Sequence, residues 1–361
     1  MTGYILLLAF VFVVGFSSYF SLKGQSKGNT FLIITFLAIF LLYALRASSV
    51  GRDLPGYKDM YLITKHVAWD NYDYVYFESG YILLMKICTY LGMSFQMFLA
   101  VVSAIILIPI YIYFKKYSKN QFLSVLIYIG YLYFEFNMTG IRQAIATSVV
   151  LIGFMLYLRG GKFARLVLIG FILLASTFHK GAFVCLLFIP LSYIKSMTSY
   201  TFTVSILTVV SFLLRSKIMV LVNDFFKEDK INEQADVYIG LNFVFILALS
   251  VYFVFSYFAR VKNKDKTEAV DLPTRADEIQ IKWFLLSVMI MLVFGLDTSV
   301  RSYMFYSQVL MVQLPNSMDC WKKKDRMILN MGLIAFFVIF FFTNSLIPNN
   351  FDIVPYKFFW K

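Results

Sequence analysis

The chain has 361 residues, of which 60% are hydrophobic and only 15% charged, and its mean hydropathy is +0.74. A water-soluble core of that size cannot absorb so much apolar surface, so the ordinary soluble domain classes are excluded. A net charge of +13 would suggest nucleic acid in a soluble protein. In a chain built of apolar runs the placement of charge matters more than its sum, and no nucleic-acid partner is expected.

Runs of roughly 15–22 apolar residues between short polar connectors read as spanning helices, giving an all-α, polytopic integral membrane protein. The runs fall near 4–22, 30–46, 95–114, 121–137, 141–158 and 163–178, then 182–194, 199–214, 237–259, 283–297, 302–314 and 327–346. Residues 4–22 lack a basic leader and a small-residue cleavage site, so they read as a span and not as a removed signal. Many of the 25 tyrosines sit near segment ends, where an interfacial belt would place them. Residues 77–92 are apolar but short, with Glu78 at the start and Lys86 in the middle, and are expected to lie in the interface. With about twelve spans and that one interfacial segment, the connectors 23–29, 115–120, 159–162, 195–198, 260–282 and 315–326 share one side. With their edges they hold 19 of the 33 Lys and Arg but only 7 of the 20 Asp and Glu. The positive-inside rule puts that side in the cytoplasm and both termini outside. The whole of 1–361 reads as a single polytopic membrane domain. An outer loop at 47–92 is expected to carry interfacial helices, and the highly charged 260–282 to form a flexible cytoplasmic loop. Cys88, Cys185 and Cys320 lie far apart without metal-ligand spacing, so neither a metal site nor a disulfide framework is expected.

The unusual polar residues gather at the outer ends of the spans. Arg46 closes the second span, and Arg52 and Asp53 follow it. "EFNMTGIRQAIA" brings Glu135, Asn137, Arg142 and Gln143 to one outer connector, "STFHKGA" brings His179 and Lys180 to the next, and "GLDTSVRSYMFY" brings Asp297, Arg301, Tyr303 and Tyr306 to a later one. Arg142 follows Gly140 and opens a helix. Arg301 follows Asp297, Thr298 and Ser299, which are suited to cap the helix it would open. A helix N-terminus offers free N–H groups and partial positive charge, and a guanidinium can grip two phosphate oxygens, so both positions suit a diphosphate. Against this stand plainer readings: a terminal Arg commonly snorkels to headgroups, a single interfacial His is often structural, and Asp53 has simple ion-pair partners to hand in Arg52 and Arg46.

Arg46 with "GRD" and Tyr57, "FESGYILL" at 77–84, "IRQAIA" at 141–146, "FHKGA" at 178–182 and "RSYMFY" at 301–306 together resemble the EpsG family of bacterial capsule and exopolysaccharide polymerases, within the wider Wzy-like group. The likeness runs in order from the second expected span to the eleventh; residues 199–260 carry none of it. It implies a GT-C-like fold and a glycosyltransferase in the bacterial plasma (inner) membrane. Its substrate would be an oligosaccharide repeat unit on undecaprenyl diphosphate, joined to another at the outer face. The partners implied are that lipid-linked oligosaccharide, membrane lipids, and the flippase and chain-length regulator of the same pathway; no cofactor is expected.

The chemistry fits this reading. Fixed cations stabilise the departing lipid diphosphate, and Arg142 and Arg301, assisted by Arg46 or Arg52, are the candidates. The attacking hydroxyl needs a proton acceptor, with His179 the first candidate and Asp53 the second. Gln143, Tyr57, Glu78 and Tyr303 are the candidate sugar contacts, and Tyr81 is a further ring that could stack on a sugar. A flippase of lipid-linked oligosaccharides is the rival from another class, but it should carry such arginines at mid-span. An O-antigen ligase would share the donor and differ in the acceptor. A membrane acyltransferase is weakened by the lack of a local acidic companion for His179.

Overall fold

The computed structural model describes residues 1–20, 26–69, 76–226, 241–262, 272–294 and 296–360, and among these it contains no named strand. In chain order the helices are α1 (Thr2–Phe20), α2 (Ser26–Ala44), α3 (Leu54–Thr64), α4 (Ser79–Tyr90), α5 (Phe95–Tyr117), α6 (Gln121–Gly130), α7 (Tyr133–Thr139), α8 (Ile141–Arg159) and α9 (Ala164–Ser176). A 3-10 segment at Lys180–Leu187 leads into the single turn α10 (Phe188–Leu191). Then come α11 (Met197–Leu213), α12 (Arg215–Phe226), α13 (Leu241–Lys262), α14 (Arg275–Val293), α15 (Leu296–Ser307), α16 (Leu310–Ser317) and α17 (Lys323–Phe340), which continues as a π-helix over Phe341–Leu346.

The chain forms two compact units: one of Met1–Leu151, Thr177–His179 and Met331–Lys361, the other of Ile152–Ser176 and Lys180–Asn330. In the first, α2 packs on α1 and α5, and α3 packs on α4. Ser94 caps α5 by accepting from Met97 N at 3.2 Å, and Asn120 caps α6 by accepting from Leu123 N at 3.1 Å. The last residues return to the loop after α2. Phe359 N donates to Leu45 O, Ala47 N to Lys357 O, Gly51 N to Asp352 O and Arg52 N to Phe351 O, all within 3.0 Å. In the second unit α14 is the central rod, packed by α11, α13 and α15. Its Trp283 ring lies 4.5 Å from Phe154, 4.9 Å from Phe188 and 4.9 Å from Tyr306.

Among the described residues four helices, α5, α8, α13 and α17 with its π-helical end, are long and apolar enough to cross a membrane; counting each bent pair as one span gives six. On α13 the exposed large side chains Leu247, Val251, Phe255 and Phe258 recur at helical spacing. α11 exposes Phe202, Ile206, Val209 and Leu213 in the same way. Such stripes are the lipid-facing pattern of membrane helices and would be aggregation sites in water.

Twelve regular spans are not what the described residues contain. The expected span 121–137 is broken into α6 and α7 with a bend of 54°, at Leu132, whose φ is +42°. The expected span 182–194 is a 3-10 segment and one helical turn, and 302–314 straddles the end of α15 and the separate α16. α11 ends in a 79° bend into α12, where a connector was expected. The expected span 283–297 begins earlier, at Arg275, so part of the expected loop 260–282 is helix. A capping box between Thr274 and Asp277 starts it, and buried Asp277 also pairs with Arg260 at 3.4 Å. Lys282 is buried too, donating to Ile194 O, Lys195 O and Glu278. Asp277 and Lys282, which read as part of a loop, sit inside a helix because each finds a partner on another segment of the unit. Residues 263–271 of that loop lie outside the described residues. α4 is twelve residues long, about 18 Å of helix, which is short of the ~30 Å needed to cross.

Candidate functional site

The polar cluster that the first unit assembles is centred on Arg142. Gly140 caps α7 and the chain restarts as α8 at Ile141, so Arg142 stands in the first turn of that helix, as its sequence context predicts. Its side chain is 23% exposed and its Nη1 pairs with Glu78 Oε2 at 2.5 Å. Arg142 Nε donates to the Tyr57 hydroxyl at 3.4 Å, and the guanidinium lies 4.3 Å from the Phe77 ring centroid and 5.8 Å from that of Tyr57. Three motifs distant in sequence thus converge on one cation: α3 brings Tyr57, the entry to α4 brings Phe77 and Glu78, and α8 brings Arg142.

Glu78 occupies the N-cap position of α4 in extended conformation, but its carboxylate makes no cap bond and turns to Arg142 instead. Gly80, two residues on, donates its backbone N–H to Thr177 O at 2.8 Å. That bond ties the segment carrying His179 to the same motif, and His179 is partly exposed there. Tyr57 is buried, which pushes its hydroxyl above the ordinary phenol range, while Arg142 beside it pulls in the opposite direction. The rings of Tyr57, Phe77 and Tyr81 pack on one another at centroid distances of 5.4–5.7 Å, forming the wall behind the arginine.

The remaining expected site residues fall in different places. Gln143 is adjacent to Arg142 and buried. Asp53 sits half-exposed at the N-cap position of α3 without a cap bond, one turn before Tyr57. Arg52 is well exposed and pairs only loosely with Asp352, at 3.5 Å.

Arg46 is a correction. It neither snorkels nor presents itself to a diphosphate, being 1% exposed, with its guanidinium nitrogens donating to Tyr43 O and Met138 O. Its cation is spent on the carbonyls that join the end of α2 to α7.

Arg301 is a second correction. It lies well inside α15, which begins at Leu296, and so does not open the helix; it is exposed, in the second unit, and the side chains of Asp297, Thr298 and Ser299 lie outside the described residues. Tyr303 is fully buried in that unit, and Tyr81 is fully buried in the first, so neither ring presents a face to a sugar in this structure. Tyr306 is likewise interior, its hydroxyl donating to Val184 O at 2.7 Å.

Phe77 is the site residue that sequence reasoning missed. Its aromatic ring before an acid is unremarkable in a chain with 40 Phe, and its role is visible only once Arg142 lies over it. Among the described residues no group of three or more His, Cys, Asp or Glu is arranged to hold a metal ion.

No curated protein and no solved structure matches the chain. The family model described as "EpsG family" matches residues 29–358, a stretch that includes every residue of the Arg142 cluster and nearly the whole chain. The chain belongs to the EpsG family.

Proposed function

We propose that this membrane protein is a glycosyltransferase that polymerises oligosaccharide repeat units carried on a polyprenyl diphosphate, working at the outer face of the bacterial plasma membrane in a GT-C-like fold. Membership of a polysaccharide-polymerase family supports the general activity. The observation that carries the site is Arg142, part-exposed at the start of α8 and held by Glu78, Tyr57 and Phe77.

In this reading the hydroxyl oxygen of the incoming unit attacks the anomeric carbon of the growing chain. The bond from that carbon to the diphosphate oxygen breaks, and the lipid diphosphate leaves with the electron pair. Arg142, in the first turn of α8, meets the charge that grows on that leaving group. Glu78 fixes the guanidinium plane and is the candidate sugar contact beside it. His179, tied to the same motif through Thr177, takes the proton from the attacking hydroxyl. Arg52, exposed in the same unit, is a further cation for the diphosphate.

The test is a set of variants examined on surface-polysaccharide gels. Arg142→Ala should collapse the ladder to single repeat units with normal protein level. Arg142→Lys should recover little, since an ammonium cannot hold two phosphate oxygens at once. Full-length polymer from both variants would remove Arg142 from the reaction. Loss of even single units from the cell surface would support a flippase in place of a polymerase.

A further inference from the structure

One acid in the first unit is absorbed neither by the proposed reaction nor by packing. Glu135 lies in α7, just past the break at Leu132, and is 1% exposed. Neither of its carboxylate oxygens has a hydrogen-bond partner among the described residues. Beside it stands Ser345, also 1% exposed, whose hydroxyl faces the carboxyl but makes no hydrogen bond of normal geometry to it. Ser345 belongs to the π-helical end of the last helix, and Glu135 to the first turn of α7 after the break.

The two irregular segments are packed on each other. A Cβ at Gly130 would lie 2.6 Å from Phe337 O, the Tyr131 ring is 5.5 Å from Phe340, and the Phe134 ring is 6.2 Å from Phe341. Two further polar groups lie near it and bond elsewhere, although Arg46 Nε is itself buried without a hydrogen-bond partner. From α1, the Tyr4 hydroxyl donates to Ile353 O at 2.8 Å. Arg46, which faces Tyr4, gives its two terminal nitrogens to Tyr43 O and Met138 O.

A carboxylate buried at such a place without a positive partner is strongly disfavoured, and intramembrane acids ordinarily pair with a cation or a proton. The side-chain oxygens that meet there are the two of Glu135 and the one of Ser345. Oxygen donors at a discontinuous helix are the surroundings in which membrane proteins hold H+ or Na+.

We propose that Glu135 and Ser345 form a buried site for one small monovalent cation, a proton or a sodium ion, where the break between α6 and α7 meets the π-helical end of α17. The cation offsets the carboxylate and fixes α7. That helix supplies the Met138 carbonyl to Arg46 and ends at Gly140, from which α8 starts.

Infrared spectroscopy of the full chain in lipid nanodiscs at neutral pH tests this, with choline or sodium as the only added cation. If the occupant is a proton, the wild type shows the carbonyl stretch of a neutral carboxylic acid whether or not sodium is present. Glu135→Gln loses that band and Ser345→Ala shifts it. If the occupant is sodium, the same residue gives a carboxylate stretch that moves when sodium replaces choline, and sodium raises the melting temperature of the wild type but not of Glu135→Gln. An ionised Glu135 indifferent to sodium would overturn the site, since its compensation must then come from the protein. Should Glu135→Gln not fold, Ser345→Ala decides on the wild-type acid: a band unmoved by that change, with or without sodium, also overturns it.

Discussion

Gly80 and Thr177 approach so closely that a Cβ on Gly80 would lie 2.2 Å from Thr177 Oγ1 and 2.9 Å from Thr177 O. The glycine in "FESGY" is therefore a packing requirement between two strings that look independent in the sequence. Gly80→Ala should cost about 1–3 kcal/mol in overpacking. It should lower the melting temperature of the purified protein and shorten polymer through displacement of the segment bearing His179. An unchanged melting temperature would mean that the two segments are not in contact. Residue by residue, the sequence was informative wherever local grammar decides the outcome. Arg142 was readable because Gly140 must interrupt a helix. Arg301 was misread because "LDTSVR" offers several possible starts, and α15 uses the earliest. Arg46 was misplaced for another reason: its partners, Tyr43 O and Met138 O, are main-chain atoms that no side-chain pattern reports.

Among the elements, α14 departs furthest from its hydropathy. Arg275, Asp277, Glu278 and Lys282 give its first two turns the appearance of a loop, yet the capping box and the pairing with Arg260 make them helix. Hydropathy counts residues singly, whereas burial of a charge depends on a partner supplied by another helix. Arg260→Met should leave Asp277 buried without its cation and destabilise the protein by roughly 3–5 kcal/mol. Arg260→Met with Asp277→Asn should recover much of that loss, because the amide oxygen can still accept from Thr274. Thermal melting of the two variants decides it, and equal losses would show that the pair contributes nothing beyond packing. The same limit explains α6 and α7. The apolar run from 121 to 137 holds no proline, and its one glycine, Gly130, lies two residues before the break, where a Cβ would meet Phe337 O at 2.6 Å and the Tyr131 ring packs on Phe340.

For the molecule as a whole, composition sufficed to identify a membrane protein of apolar helices, and the lipid-facing stripes on α11 and α13 agree with it. The number of crossings did not follow from the same signal, since broken, 3-10 and π-helical stretches carry as much hydropathy as regular spans. Orientation is a separate expectation, resting on the basic connectors. In a variant without its native cysteines, His66→Cys should react with a membrane-impermeant maleimide in intact cells. Ser118→Cys, Lys162→Cys and Lys322→Cys should react only after permeabilisation. The reverse pattern would place the Arg142 cluster on the cytoplasmic side and exclude polymerisation at the outer face.

The most direct measurement is reconstitution of the purified chain into vesicles with a chemically defined repeat unit on polyprenyl diphosphate, and no other protein. Products are then resolved by size, and released lipid diphosphate is counted. A lengthening saccharide ladder is expected, with one lipid diphosphate freed per linkage formed. Arg142→Ala should abolish both, while remaining folded by its melting curve. Transfer of the lipid-linked unit between leaflets without any new linkage, or a ladder undiminished in Arg142→Ala, would contradict the account.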